Sequence, residues 1–341
     1  MTILEMDSEV CNLRAEEEFR PPEPRQPFMH IVSSNAFSGD VLTPTIFHED
    51  WWLNIATEGR YRVVEVAESG RVVGRLPYFL RGKFGLSSII LPPLTHSLGP
   101  AIIKSYANSF RRIDLTKELL GKLPPTSAQL FKCHRDVQDV IAFQSAGFRT
   151  SVQFNYEIHP QLIDVLWKNL RDKTRNLIRR AGKCHTVSVG NDPAKFIRFY
   201  LQSIELRGKN NALNIDICTR LIQACLKDDR GRIYEAKDQS GTLVAVVFCA
   251  WDNVSSHYLM TARNPTAHLG VTSLLVWEAI THAAIRGLIF DFDGISNYGG
   301  ARFAYNFTSN VVPRYIAVRE SMPIHLYRSV RYLFKKPNFF C

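Results

Sequence analysis

Polar and apolar residues alternate over Tyr61 to Glu68 and over Val72 to Leu80, with the turn pair Ser69-Gly70 between them, so the spacing predicts a strand hairpin. Beyond it, Ser88 to Leu91, Ala128 to Cys133 and Val152 to Ile158 read as further strands. Arg112 to Leu120 and Asp136 to Ala146 read as helices, the second closed by Gly147. Pro92 to Pro100 is a loop on its prolines and glycine. The period then changes, because Leu162, Leu166, Leu170, Leu177 and Ala181 recur at helical spacing and predict one helix from Leu162 to Lys183. Asp192-Pro193 opens another helix to about Arg207, and Asn214 caps a third to Lys227. Strands Arg232 to Lys237 and Thr242 to Trp251 pair across Gln239-Ser240-Gly241, and strand Ser256 to Ala262 follows. Helix Val271 to Arg286, strand Leu288 to Asp293 and a strand near Pro313 to Arg319 complete the pattern. Strands and helices interleave throughout, so the class is α/β (α+β).

A chain of 341 residues exceeds one ordinary core, and its composition changes along its length. Residues 1–27 are acidic and proline-rich and are expected to be a disordered tail, followed by domains at 28–158 and 159–320. In 321–341, Leu326, Tyr327, Val330 and Phe334 alternate with Arg328, Arg331, Lys335 and Lys336 as a basic amphipathic helix would. That helix suits packing on the second domain or contact with an anionic membrane. The longest apolar run, Leu243 to Trp251, is too short to span a bilayer, and the acidic N-terminus lacks the features of a secretory signal. A cytoplasmic protein is expected. The seven cysteines show no C-x-x-C spacing, which suits reduced thiols, and no pair among His257, His268 and His282 has metal-ligand spacing.

The formal charge is +10, but residues 1–27 hold seven acids against three bases, which leaves +14 on the other 314 residues. Such an excess favours anionic partners: a phosphorylated cofactor, a nucleotide, nucleic acid or a membrane surface. Arg171, Arg175, Arg179 and Lys183 recur every four residues as a basic ridge. The ridge fits a solvated helix face, a phosphate-bearing substrate or contact with tRNA. A helix N-terminus directly after a strand, at His268-Leu269-Gly270-Val271-Thr272-Ser273, offers free amides and hydroxyls to a phosphate. Asp291 and Asp293 lie two apart on one strand and so share a side, where mutual repulsion can lift one pKa to that of a base. Tyr258, Tyr298 and Tyr305 are candidate proton donors or rim aromatics. Arg302 can meet an anionic substrate, and His96 can face a substrate groove or serve its loop alone. His257, His268 and His282 are taken as structural or exposed histidines by default.

The order of three strands, a helix and an acidic strand resembles the core of the GNAT acyltransferase fold. Its segments Gly241 to Phe248, His257 to Pro265, Gly270 to Ile280 and Gly287 to Gly294 are similar to the FemAB-like branch of that superfamily. Lys173 to Ala181 is similar to the basic helix that opens the family's second domain, and Pro92 to Pro100 resembles a loop of its first. The resemblance covers about Phe28 to Arg319 and implies two tandem GNAT-like domains, each a mixed, largely antiparallel sheet flanked by helices.

The resemblance also implies transfer of an acyl group to an amine or hydroxyl. Members that build peptidoglycan bridges use aminoacyl-tRNA and commonly read Phe-Lys-x-x-Phe after the acidic strand, with the lysine near the reacting ester. Here the tract is Phe303-Ala304-Tyr305-Asn306-Phe307, and Ala304 replaces the lysine. This points to the branch expected to use acyl-CoA. The reading is therefore an acyl-CoA-dependent, metal-free acyltransferase, with acetyl-CoA as donor and a glycan precursor or small metabolite as acceptor. Asp291, Asp293, Tyr258 and Tyr305 are the catalytic candidates. His268 to Ser273 form the cofactor site, and Arg171, Arg175, Arg179, His96, Tyr298 and Arg302 are substrate contacts. An aminoacyl-tRNA-dependent ligase is the runner-up, and a nucleotide- or glycan-binding module without turnover is the reading from another class.

Overall fold

The computed structural model describes residues 42–83, 86–293, 295 and 297–321. The tail at 1–27 and the basic segment 324–334 lie outside the described residues. A 3₁₀ turn at Ile46–His48 leads into α1 (Asp50–Thr57), β1 (Tyr61–Glu68), β2 (Arg71–Lys83), β3 (Leu86–Ile90) and β4 (Ala101–Ile102). Then come α2 (Arg111–Gly121), β5 (Ala128–Lys132), α3 (Ile141–Ser145) and β6 (Arg149–Ile158). The second half runs α4 (Ile163–Asn169), α5 (Asp172–Cys184), β7 (Thr186–Gly190), α6 (Pro193–Glu205), α7 (Ile215–Lys227), β8 (Gly231–Lys237), β9 (Leu243–Trp251) and β10 (Ser255–Arg263). It closes with α8 (Val271–Ile285), β11 (Ile289–Asp291), α9 (Tyr298–Tyr305) and β12 (Val311–Glu320).

The strands join in one mixed, largely antiparallel sheet of order β1-β2-β3-β5-β12-β6-β11-β10-β9-β8-β7, with β4 pairing β2 off this path. β12, the last strand in sequence, lies between β5 and β6. β11 then pairs β6 through Phe290–Ile158 and Asp291–Glu157, which ties the two halves of the sheet together. Three apolar cores follow from the layers. One lies under α5 and α8, a second under α1, α6 and α7, and a third beneath α2 and α3 in the N-terminal half. Helix α8 buries residues around most of its circumference, including Val271, Leu275, Trp277, Ile280 and Ala283, because α5 covers it from outside and the sheet from inside. Among the described residues no helix is long and apolar enough to cross a membrane.

Several elements depart from the sequence reading. The single helix expected over Leu162 to Lys183 breaks into α4 and α5, since Leu170 and Arg171 take extended backbone angles. Arg175 holds the break, its guanidinium donating to the carbonyls of Lys168 (2.7 Å) and Leu170 (2.8 Å), which a continuous helix would have bonded internally. The helix expected from Asp136 starts only at Ile141, where the Asp139 carboxylate accepts the Ile141 amide at 3.1 Å. Residues 298–305 form a helix for which the residue pattern gave no signal, because Asn297 caps it through the Gly300 amide (2.9 Å) and outweighs two helix-weakening glycines. The expected reduced thiols are found at Cys133, Cys218, Cys225 and Cys249, all buried.

Candidate active site

β10 and β11 pair in parallel only through Ser255–Ile289, Ser256–Phe290 and His257–Asp291. A bulge in β10 between Tyr258 and Met260 coincides with the end of this pairing, so the β10 backbone beyond His257 has no strand partner on that side among the described residues. The sheet opens here, and buried ionisable groups from both halves of the chain meet at the opening.

His257 lies on β10 and is 3% exposed. Its Nε2 meets Asp252 Oδ2 at 3.1 Å, and its Nδ1 faces Asp293 Oδ2 at 3.8 Å. Asp252 directly follows β9, and its Oδ1 also accepts the amides of Val254 (2.8 Å) and Ser255 (2.8 Å), while Oδ2 accepts that of Ile46 (3.1 Å). The same Asp293 oxygen lies 3.5 Å from His96 Nδ1, so one carboxylate oxygen sits between two imidazoles. His96 reaches this point because its loop is fastened to the scaffold. Trp52 Nε1 donates to Thr95 Oγ1 (3.0 Å), the Gly99 amide donates to His48 Nε2 (3.3 Å), and His134 Nε2 donates to the Pro100 carbonyl (2.9 Å). The Phe47 ring stacks on His96 at 6.0 Å and leans on His257 at 4.9 Å.

Asp291 has a different setting. Its Oδ1 accepts from Asn155 on β6, and its Oδ2 lies 3.1 Å from Arg314 on β12. Arg314 and Arg135 both also grip Glu157. These partners converge because β12 and β11 each pair with β6, a juxtaposition set by long-range strand order.

The environments separate the two aspartates. Burial, reinforced by the charge of Asp293, raises Asp291 above the usual carboxylate range. Burial acts the same way on Asp293, yet His96 first, then His257 and Arg314, outweigh it and hold that carboxyl well below the range. His257 loses affinity for its proton through burial but regains more from Asp252, Asp291 and Asp293, so its pKa lies above the ordinary histidine value. Asp252 is likewise depressed, because its bonds to His257 and to backbone amides outweigh burial. The result is a chain of contacts from Asp252 through His257 and Asp293 to His96, which opens to solvent at its His96 end, where the His96 side chain is 22% exposed.

The remaining sequence candidates scatter. Tyr258 points to the opposite face of β10, packs against Phe290 and Phe292, and is pushed up by burial, which makes it a poor proton donor. Tyr298, Arg302 and Tyr305 are exposed on α9. The basic ridge is largely engaged: Arg171 lies over the Tyr305 ring at 3.9 Å, Arg175 bonds the end of α4, and Arg179 lies over Trp167 at 5.4 Å. Ala304 is 1% exposed and belongs to the core under α5 and α8.

At the start of α8, Gly270 has no side-chain cap, and its amide donates to His268 Nδ1 at 3.0 Å. A Cβ on Gly270 would meet the Leu177 carbonyl oxygen at 2.5 Å, so this glycine permits the close crossing of α5 and α8. Leu269 is exposed, Val271 and Ser273 are buried, and Thr272 lies between those extremes. His268 is depressed by burial and then by His185, Arg180 and Arg263, and the two arginines add positive charge beside this helix end.

Sequence reasoning missed Asp252, Asn155, Glu157, Arg135 and Arg314, and set His257 aside. The one local signal was an acid and a histidine five apart across the Asn253 turn. Among the described residues no cluster of His, Cys, Asp or Glu is arranged to hold a metal.

Residues 167–305 match the family model described as an acetyltransferase (GNAT) domain. No curated protein sequence matches the chain. Among solved structures, FemX is similar at a TM-score of 0.62 and 12% identity, covering 82% of this chain and 92% of that one. L-PGS from Bacillus licheniformis is similar at a TM-score of 0.51 and 16% identity, covering 84% of this chain and 92% of that one.

Proposed function

We infer that this chain, which has the GNAT/FemAB-like acyltransferase-superfamily fold, transfers an acyl group from an activated, phosphate-bearing donor to an amine or hydroxyl at the opening between β10 and β11. The observation that carries this reading is the placement of one Asp293 oxygen between His96 Nδ1 and His257 Nδ1. With its Nδ1–H directed at Asp293, His96 keeps Nε2 for the acceptor and acts as general base, the carboxylate fixing its tautomer and stabilising the imidazolium formed. His257, held charged by Asp252, fixes Asp293 from behind. The unpaired β10 backbone beyond His257 supplies amides to the developing oxyanion, and the positive end of α8 attracts the donor's phosphates.

Two donors fit. The acetyltransferase description of residues 167–305 favours acyl-CoA, acetyl-CoA in particular. The likeness to FemX favours aminoacyl-tRNA, which bridge-forming FemAB-like members use. Ala304 in place of the lysine stands against that second donor. The acceptor is a glycan precursor or small metabolite in either case, met in the cytoplasm or at the membrane surface. The proposed division into domains 28–158 and 159–320 keeps both readings open, since β12 returns to the N-terminal half and places Arg314 behind the site.

The test is transfer by the full chain from acetyl-CoA and from charged tRNA to glycan and amine acceptors, with wild type beside His96→Ala. Product from either donor that His96→Ala forms at wild-type rate would remove the assignment. Donor binding that falls steeply with salt identifies tRNA.

A further inference from the structure

On the sheet face opposite His257, a cavity of about 540 Å³ lies between β7, β8 and the C-terminal half of α8. Its lining carries polar side chains that the protein itself leaves unused. Arg232, on β8, forms no ion pair or hydrogen bond among the described residues. Thr281 Oγ1 and His282 Nδ1, on α8, are buried without a hydrogen-bond partner. Glu278 lines the same cavity and is not paired with Arg232. Buried polar atoms without partners cost stability, and a purely structural surface at this place would be served better by aliphatic residues. The rim is aliphatic: Val189 on β7 and Ile285 at the end of α8 are 62% and 70% exposed.

We propose that this cavity binds a small organic anion, a carboxylate or phosphate ester with an apolar body, whose acidic group meets Arg232, the Thr281 hydroxyl and His282 while its body rests on Val189 and Ile285. Burial and then Arg232 and Arg286 lower His282 to about 4, and an anion beside it reverses that pressure. The site is separate from the acyl-transfer opening, because Arg232 and His257 project from opposite faces of the sheet.

Calorimetry on the full chain with phenyl phosphate, hexanoate and inorganic phosphate tests the proposal without reference to acyl transfer. Saturable one-to-one binding of phenyl phosphate or hexanoate is expected, at least tenfold weaker in Arg232→Gln and in Thr281→Val, and unchanged in Lys104→Gln. Preference between the first two ligands tells phosphate ester from carboxylate. Thr281→Val removes only a hydroxyl without a partner and keeps the shape, so it reports on binding even if Arg232→Gln fails to fold. Absence of saturation at millimolar concentration overturns the proposal, as does binding that Thr281→Val leaves intact. Equal affinity for inorganic phosphate overturns the part assigned to the apolar rim.

Discussion

Asp252→Asn is the substitution whose consequences the geometry specifies most fully. The Asp252 carboxylate accepts three backbone amides and the His257 Nε2, and it is only 8% exposed. An asparagine keeps one oxygen for Val254 and Ser255 but turns an amide donor toward two other donors, the Ile46 N–H and the His257 ring. Breaking a buried pair in this way costs about 3–5 kcal/mol, because a charge is left uncompensated. The cost carries a pH signature. His257 has a raised folded pKa, so its share of the stability is fully present below the unfolded value of 6.5 and is lost as pH rises through the folded value. Asp252 has a depressed folded pKa, so its share is present above 3.8 and is lost as pH falls through the folded value. The difference between wild type and variant is therefore largest between about pH 4 and 6.5 and shrinks on either side. Urea unfolding of both proteins at a series of pH values measures it, and taking the difference cancels groups such as the buried, depressed His48, which titrates in both. A difference below about 1 kcal/mol, or one that does not change with pH, would refute the reasoning.

Other outcomes follow from single sites. Gly270→Ala forces a Cβ against the Leu177 carbonyl and should cost about 1–3 kcal/mol, seen as a lower melting temperature. Asp291→Asn should lower stability by about 1–3 kcal/mol by disturbing the bonds to Asn155 and Arg314, with a smaller effect on turnover than Asp293→Asn. Cys218, pushed up to about 11 by burial, and Cys225, raised further, should resist thiol reagents in the folded protein at pH 8 and react only at the unfolding rate. Labelling that is fast and complete without denaturant would contradict their burial.

How far the sequence could be read depended on whether the determinants were local. Asn214 capped its helix as expected, with its side chain accepting the Ile217 amide, and the Ser69-Gly70 turn closed its hairpin with Gly70 at φ 79°, because each rests on residues within a few positions. Helix α9 was hidden because its two glycines signal a turn, while its Asn297 cap is a single residue. The site was legible in pieces. Asp293 and His96 stood out, but nothing local showed that 197 positions of chain separate residues whose side chains meet. His257 was set aside for a physical reason that was incomplete: a lone histidine on a strand is ordinarily structural, and only the turn that returns Asp252 to its Nε2 gives it charge. Arg314, Glu157 and Asn155 depended on β12 inserting between β5 and β6, which no residue pattern announces. Helical spacing along the arginine ridge likewise does not reveal that Arg175 bonds the carbonyls at the break between α4 and α5.

The central claim is that His96 and Asp293 form the working end of an acyl-transfer site, and single-turnover transfer from whichever donor proves competent tests it most directly. His96→Ala and Asp293→Asn should each slow the chemical step by roughly 10²–10⁴, with donor binding unchanged. Folded variants that transfer at the wild-type rate would contradict the account.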